Sequence, residues 1–184
     1  VPLMDDPNLL HGALEAYTQS YGRLQNDMWA AKLGLGEFID SDESLIVELN
    51  ALLQEVETDM TIFFRLLCSI EEPEIDLLSD AFYDPDNIPT ELWNAWLSKW
   101  WTRVEGAPNR QEMLNANPKY VLRNWMAQLA IDAAESGDFS ICEELYLVLK
   151  NPYEEQVEFE EKWFQKRPEW ARHRVGCSML SCSS

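Results

Sequence analysis

Apolar residues recur three and four positions apart through most of this 184-residue chain, and no segment shows the alternation of a half-buried strand. That spacing confines the chain to an all-α fold of about eight helices packed helix on helix. Asp6-Pro7 supplies a cap followed by a first-turn proline. Leu10, Leu14, Tyr17, Tyr21, Leu24, Met28 and Ala31 then mark one helix face up to Gly34, with Gly22 as a point of bending. Ser41 or Asp42 opens a second helix facing inward through Leu45, Leu49, Leu52 and Val56, and Thr58 caps a third carrying Ile62, Phe63, Leu66 and Leu67. Pro73 begins a short element that ends near Phe82, and Pro89 starts a helix with Trp93, Trp96, Trp100 and Trp101. Gly106-Ala107-Pro108 breaks the chain, and Asn117-Pro118 repeats the cap-and-proline signal ahead of Leu122, Trp125, Met126 and Leu129. Ser140 to Glu143 has capping-box spacing before a helix to Lys150. A last charged helix runs through Phe159 and Trp163 to Pro168.

With 46% hydrophobic residues the chain can bury a proper core. Its net charge of -19 repels nucleic-acid backbones and anionic membrane surfaces, which sets both aside as partners. No uninterrupted apolar stretch is long enough to span a bilayer. The charge is uneven. Sixteen acidic residues and one basic residue, Arg65, lie between Glu37 and Glu91, whereas Lys162, Lys166, Arg167, Arg172 and Arg174 face a single Glu169 in the stretch 162–174. A basic segment docked on an acidic surface accounts for both. The start at Val1-Pro2-Leu3-Met4, with no targeting segment, reads as a piece cut from a longer polypeptide.

Motifs for chemistry are sparse. No glycine-rich phosphate loop occurs, and Asp84-Pro85-Asp86-Asn87 lacks the glycine and closing glutamate of a calcium loop. His173, Cys177 and Cys182 lack zinc-ligand spacing and a fourth ligand. Tryptophans at helical spacing read as core rather than as a ligand cage. Cys68 and Cys142, inside apolar helical patterns, read as reduced, packed residues. The terminal run from Gly176 to Ser184 is uncharged and carries two thiols, Cys177 and Cys182, on a segment with little to tie it down. The chain therefore divides into a helical part, 1–171, and a thiol-bearing tail, 172–184.

Three segments in order carry a family resemblance. The first is Met28-Trp29-Ala30-Ala31-Lys32-Leu33-Gly34-Leu35 with Met60-Thr61-Ile62-Phe63-Phe64-Arg65. The second and most specific runs from Asn117-Pro118-Lys119-Tyr120-Val121-Leu122-Arg123-Asn124 to Gln128, followed by Gly137-Asp138-Phe139 and Leu149-Lys150-Asn151-Pro152-Tyr153. The third is Arg167-Pro168-Glu169-Trp170-Ala171 with the terminal Cys182-Ser183-Ser184. Together they resemble the carboxy-terminal part of the SelO family, also called YdiU or UPF0061.

The resemblance implies the helical carboxy-terminal portion of a protein-kinase-like fold, a pseudokinase that transfers AMP, and in bacterial members UMP, to hydroxyls of Ser, Thr or Tyr in proteins. ATP and magnesium or manganese serve the parent protein. The nucleotide-binding and metal-binding residues of the family match no position here, so the resemblance implies no catalytic, cofactor or metal residue in this chain, which is expected to be inactive alone. It implies as partners the amino-terminal kinase-like lobe and the parent's protein substrates. The expected compartment is mitochondrial for a eukaryotic source and cytoplasmic for a bacterial one. One residue carries over: Cys182, two before the end, as a redox element forming a disulfide with a cysteine of the kinase-like part, with Cys177 as a second thiol able to compete. The missing lobe would leave an exposed tryptophan-lined face where it docks. A non-enzymatic acidic helical scaffold binding a protein partner is the alternative.

Overall fold

Three buried indoles order the first half of the molecule. In the computed structural model, which describes residues 7–177 with side chains from Leu10 onward, Trp93, Trp96 and Trp100 follow one another along one face of a helix. Trp96 Nε1 donates to Leu45 O and Trp100 Nε1 to Leu33 O, both at 2.8 Å, so these two indoles bury their rings and satisfy their one polar atom. The rings of Trp96 and Trp100 are stacked at 6.3 Å.

Nine α-helices form among the described residues: α1 (Pro7–Leu33), α2 (Asp42–Glu55), α3 (Met60–Leu67), α4 (Thr90–Arg103), α5 (Arg110–Ala116), α6 (Asn124–Glu135), α7 (Ser140–Lys150), α8 (Val157–Trp163) and α9 (Glu169–Arg172). Two 3₁₀ segments, Ile75–Ala81 and Pro85–Asn87, join α3 to α4. The only strand-like pairing among the described residues is a single antiparallel bridge between Thr58 and Phe82. The all-α expectation holds; the element begun by Pro73 is 3₁₀, and α5 and α9 are two short helices that the spacing did not mark.

Two hydrophobic clusters lie under these helices. The first gathers Leu33, Leu49, Phe63, Leu67, Phe82 and the α4 tryptophans, and the second Tyr120, Trp125, Met126, Val148, Trp163 and Ala171. Phe164 packs against both. A fully buried side chain of leucine or phenylalanine size contributes about 1.5–3 kcal/mol, so removing any of these side chains is costly. The basic stretch does dock on the acidic half. Arg167 and Arg172 both reach Glu57, at 2.6 and 2.9 Å, and Lys166 Nζ donates to Phe82 O at 2.6 Å.

Local expectations fail where a side chain takes a distant partner. Asp59, not Thr58, caps α3, accepting from Ile62 N at 3.1 Å. The Ser140–Glu143 capping box does not form; Asp138 Oδ1 instead accepts from Ser140 N at 2.9 Å in a local turn. Asn117-Pro118 does not start a helix, because Asn117 and Arg123 both have extended backbone and α6 begins only at Asn124. Cys68 is buried as expected, but Cys142 is exposed, since α7 turns Leu145 and Val148 inward instead. Trp93, Trp96 and Trp100 are buried, Trp101 is half-buried and Trp170 is exposed. The uncovered apolar face belongs to α1, whose residues from Leu10 to Met28 are exposed apart from Gly22, and whose buried residues Ala30 and Leu33 lie in its final turn.

Candidate functional site

The segment between α5 and α6 sits where the two clusters meet, and its polar side chains are almost all committed. Asn117 is 1% exposed. Its Oδ1 accepts from Lys32 Nζ at 2.7 Å, its Nδ2 donates to Lys32 O at 2.9 Å and lies 3.6 Å from Cys68 Sγ, and its carbonyl accepts from Arg65 at 3.0 Å. One asparagine thereby links α1, α3 and the chain leaving α5. The Lys119 ammonium is buried between two carboxylates, Glu155 at 2.7 Å and Glu160 at 2.9 Å. Arg65, on α3, reaches the same Glu155 together with Tyr153 O. The Tyr120 hydroxyl lies 2.9 Å from Glu155 O and 3.0 Å from Gln156 O, while the backbone N–H groups of Lys119 and Tyr120 both donate to Pro152 O. Arg123 grips Asp59 through both terminal nitrogens.

This wiring fixes the electrostatics. The hydrogen bond from Lys119, helped by Arg65, holds Glu155 below the ordinary carboxylate range. Burial, with Glu160 and Glu155 nearby, pushes the Tyr120 phenol up to about 12. Burial raises the Cys68 thiol despite its bond to Asn117, which leaves it a protonated, unreactive core group. Burial also lowers the Lys32 ammonium. Lys32 is half-buried, and no carboxylate among the described residues pairs with it. Its Nζ lies 4.0 Å over the Phe64 ring and borders an open cleft of about 220 Å³ lined by Met60, Thr61, Phe64, Asn117, Pro118 and Val121.

Of the two thiols carried forward from the sequence, Cys177 is buried at 7% exposed on the second cluster. Asn124 Nδ2 donates to its carbonyl at 3.0 Å, and Arg174 reaches Asp132 on α6 at 2.8 Å, so residues 172–177 are seated on α6. Cys182 lies outside the described residues. Among the described residues no cluster of three His, Cys, Asp or Glu side chains is placed to hold a metal ion. No helix among them is long and apolar enough to cross a membrane.

The segment just described is also the most specific part of the family resemblance. A family model described as protein adenylyltransferase SelO matches residues 2–150. The chain belongs to the SelO family. It is similar to the protein nucleotidyltransferase YdiU of Flavobacterium johnsoniae, at 44% identity over all of this chain and 37% of that protein. The corresponding proteins of Aromatoleum aromaticum and Rhodopirellula baltica are 43% and 42% identical, over 36% and 38% of their lengths. This SelO chain thus spans somewhat more than a third of the curated relatives it matches, and those relatives carry a nucleotidyltransferase name. Sequence reasoning missed that Lys119, Arg123 and Asn117 are cross-core connectors. Their spacing carries no signal of partners 36 to 85 residues away.

Proposed function

We propose that this chain is the helical carboxy-terminal portion of a SelO-type protein nucleotidyltransferase that moves AMP, or UMP, from a nucleoside triphosphate to Ser, Thr or Tyr hydroxyls of proteins. In that reaction the hydroxyl oxygen bonds to the α-phosphorus, the bond to the β-phosphate oxygen breaks, pyrophosphate leaves and the hydroxyl proton passes to a base. ATP and magnesium or manganese belong to the remainder of the protein. The observation that carries the reading is the match to SelO relatives over the whole of this chain but little more than a third of theirs. The connections through Lys119 and Arg123 suit a supporting role, because each of those charges is neutralised by a structural partner.

Cys182 is the redox element in this reading, exchanging with a cysteine outside the chain. The two thiols give two electrons and two protons to a small-molecule disulfide, which leaves as two thiols. The burial of Cys177 favours Cys182 for that exchange, since access limits the rate.

The test joins residues 1–184 to the unmatched part of the Flavobacterium relative and follows label transfer from α-labelled ATP or UTP to protein with magnesium or manganese. Transfer by the joined protein, and none by residues 1–184 alone, is expected. Metal-dependent transfer by residues 1–184 alone overturns the assignment of the active centre to the remainder, and no transfer by a folded joined protein overturns the activity. Loss of a non-reducing mobility shift in Cys182→Ser, but not in Cys177→Ser, is the expected redox result.

A further inference from the structure

An exposed heptad seam runs along α1. Leu10, Leu14, Tyr17, Tyr21, Leu24 and Met28 alternate four and three residues apart, the spacing of a coiled-coil seam, and each is between 45% and 66% exposed. The stretch is about 28 Å long, and none of the described residues covers it. Solvent-exposed helices of this length are marginal without a packed face. The Tyr17 and Tyr21 rings already stack at 6.0 Å, and one turn beyond Met28 the same face ends at Lys32 and the cleft beside Met60 and Val121.

We infer that this seam and the Lys32 cleft are the docking surface for an amphipathic helix from the rest of the SelO polypeptide, which lays its apolar face along α1 and places a carboxylate on Lys32. The inference rests on the reading of this chain as part of a longer SelO protein. Three observations select that occupant. Nearly two thirds of the relatives' length lies outside the match. The positions flanking the seam, His11, Ala13, Thr18, Ser20, Gln25 and Asp27, include one carboxylate and no lysine or arginine, whereas helices that choose among free partners encode the choice in charges there. A tethered partner needs no such code, because the link itself supplies a high local concentration. Finally, a second copy would bring together two molecules of net charge -19. Lys32 supports a carboxylate at the end of the seam, since no carboxylate among the described residues pairs with it.

Hydrogen exchange reads the docking directly. Amides of residues 10–28 should exchange at least about tenfold more slowly in the joined Flavobacterium protein than in residues 1–184 alone. Tyr21→Glu in the joined protein should return them to the fast rate, and Tyr17→Phe should leave them slow. Equal exchange in both proteins overturns the proposal. Sedimentation of residues 1–184 provides a check independent of the joined protein. A monomer is expected, and a dimer that Tyr21→Glu dissociates would give the seam to a second copy and overturn the proposal. The functional reading fails separately. Slow exchange without nucleotidyl transfer leaves docking standing, and transfer with a fast-exchanging α1 sinks docking alone.

Discussion

Arg123 and Asp59 form a two-pronged ion pair that fastens the start of α3 to the entrance of α6, 64 residues further along the chain. Asp59 already caps α3, so one carboxylate orders a helix end and joins the two halves of the molecule. Its side chain is 4% exposed and that of Arg123 16%, which puts the pair beyond the weak regime of surface ion pairs.

Removing both partners should therefore cost less than the sum of removing each alone. Arg123→Ala strands a buried carboxylate and is expected to destabilise the fold by about 3 kcal/mol. In a double-mutant cycle by urea denaturation, adding Asp59→Ala to Arg123→Ala should cost less than Asp59→Ala alone. Additive effects would show that the two residues act independently.

Trp100 separates packing from hydrogen bonding at the end of α1. Its Nε1 satisfies Leu33 O, one of the carbonyls left unpaired where that helix stops. Trp100→Phe keeps much of the ring but loses the donor, for an expected cost of about 1–3 kcal/mol, whereas Trp100→Ala should cost about 3–5 kcal/mol. Thermal and urea unfolding of the two variants measures the difference. Because α1 would lose its anchor, both should also speed hydrogen exchange near Leu33.

Elements governed by nearest-neighbour chemistry were legible in the sequence. Spacing located the helices, and Trp93, Trp96 and Trp100 of α4 are buried as their periodicity implied. What spacing cannot report is the identity of the covering surface. The α1 seam has the same pattern as a core face and yet is exposed, because none of the described residues packs over it. The same limit explains Asn117. Its cap-and-proline signal is genuine local chemistry, but Lys32, Arg65 and Cys68 engage its side chain and carbonyl and hold the segment extended. Lys119 and Arg123 were legible as charges and not as connectors, since their partners come from remote positions.

Gly34 and Gly36 test backbone and packing separately. Both have positive φ, +64 and +74. A Cβ on Gly34 would lie 2.8 Å from Met113 Sδ and 2.9 Å from Asn109 N, whereas one on Gly36 meets nothing within 4 Å. Gly36→Ala should cost about 1 kcal/mol from the left-handed backbone alone. Gly34→Ala adds overpacking against backbone and should cost about 2–4 kcal/mol in total. Equal unfolding midpoints for the two variants would refute the close packing of α1 against α5.

The Lys119–Glu155–Arg65 network predicts an acid-side loss of stability with a specific origin. The hydrogen bond from Lys119, and then Arg65, keeps the folded-state pKa of Glu155 below its ordinary 4.5. Between the two values the unfolded chain binds a proton that the folded chain does not. The contribution is thus fully present above about pH 4.5 and disappears as pH falls through the lower, folded value. Glu155→Gln should destabilise the protein by about 1 kcal/mol at pH 7, a figure kept small because the carboxylate is more than half exposed. The deficit should narrow as pH drops toward 3, where the native carboxylate is itself becoming neutral. Urea unfolding of both proteins between pH 7 and pH 3 measures it. A deficit that stays constant across that range would remove Glu155 as the titrating partner of Lys119.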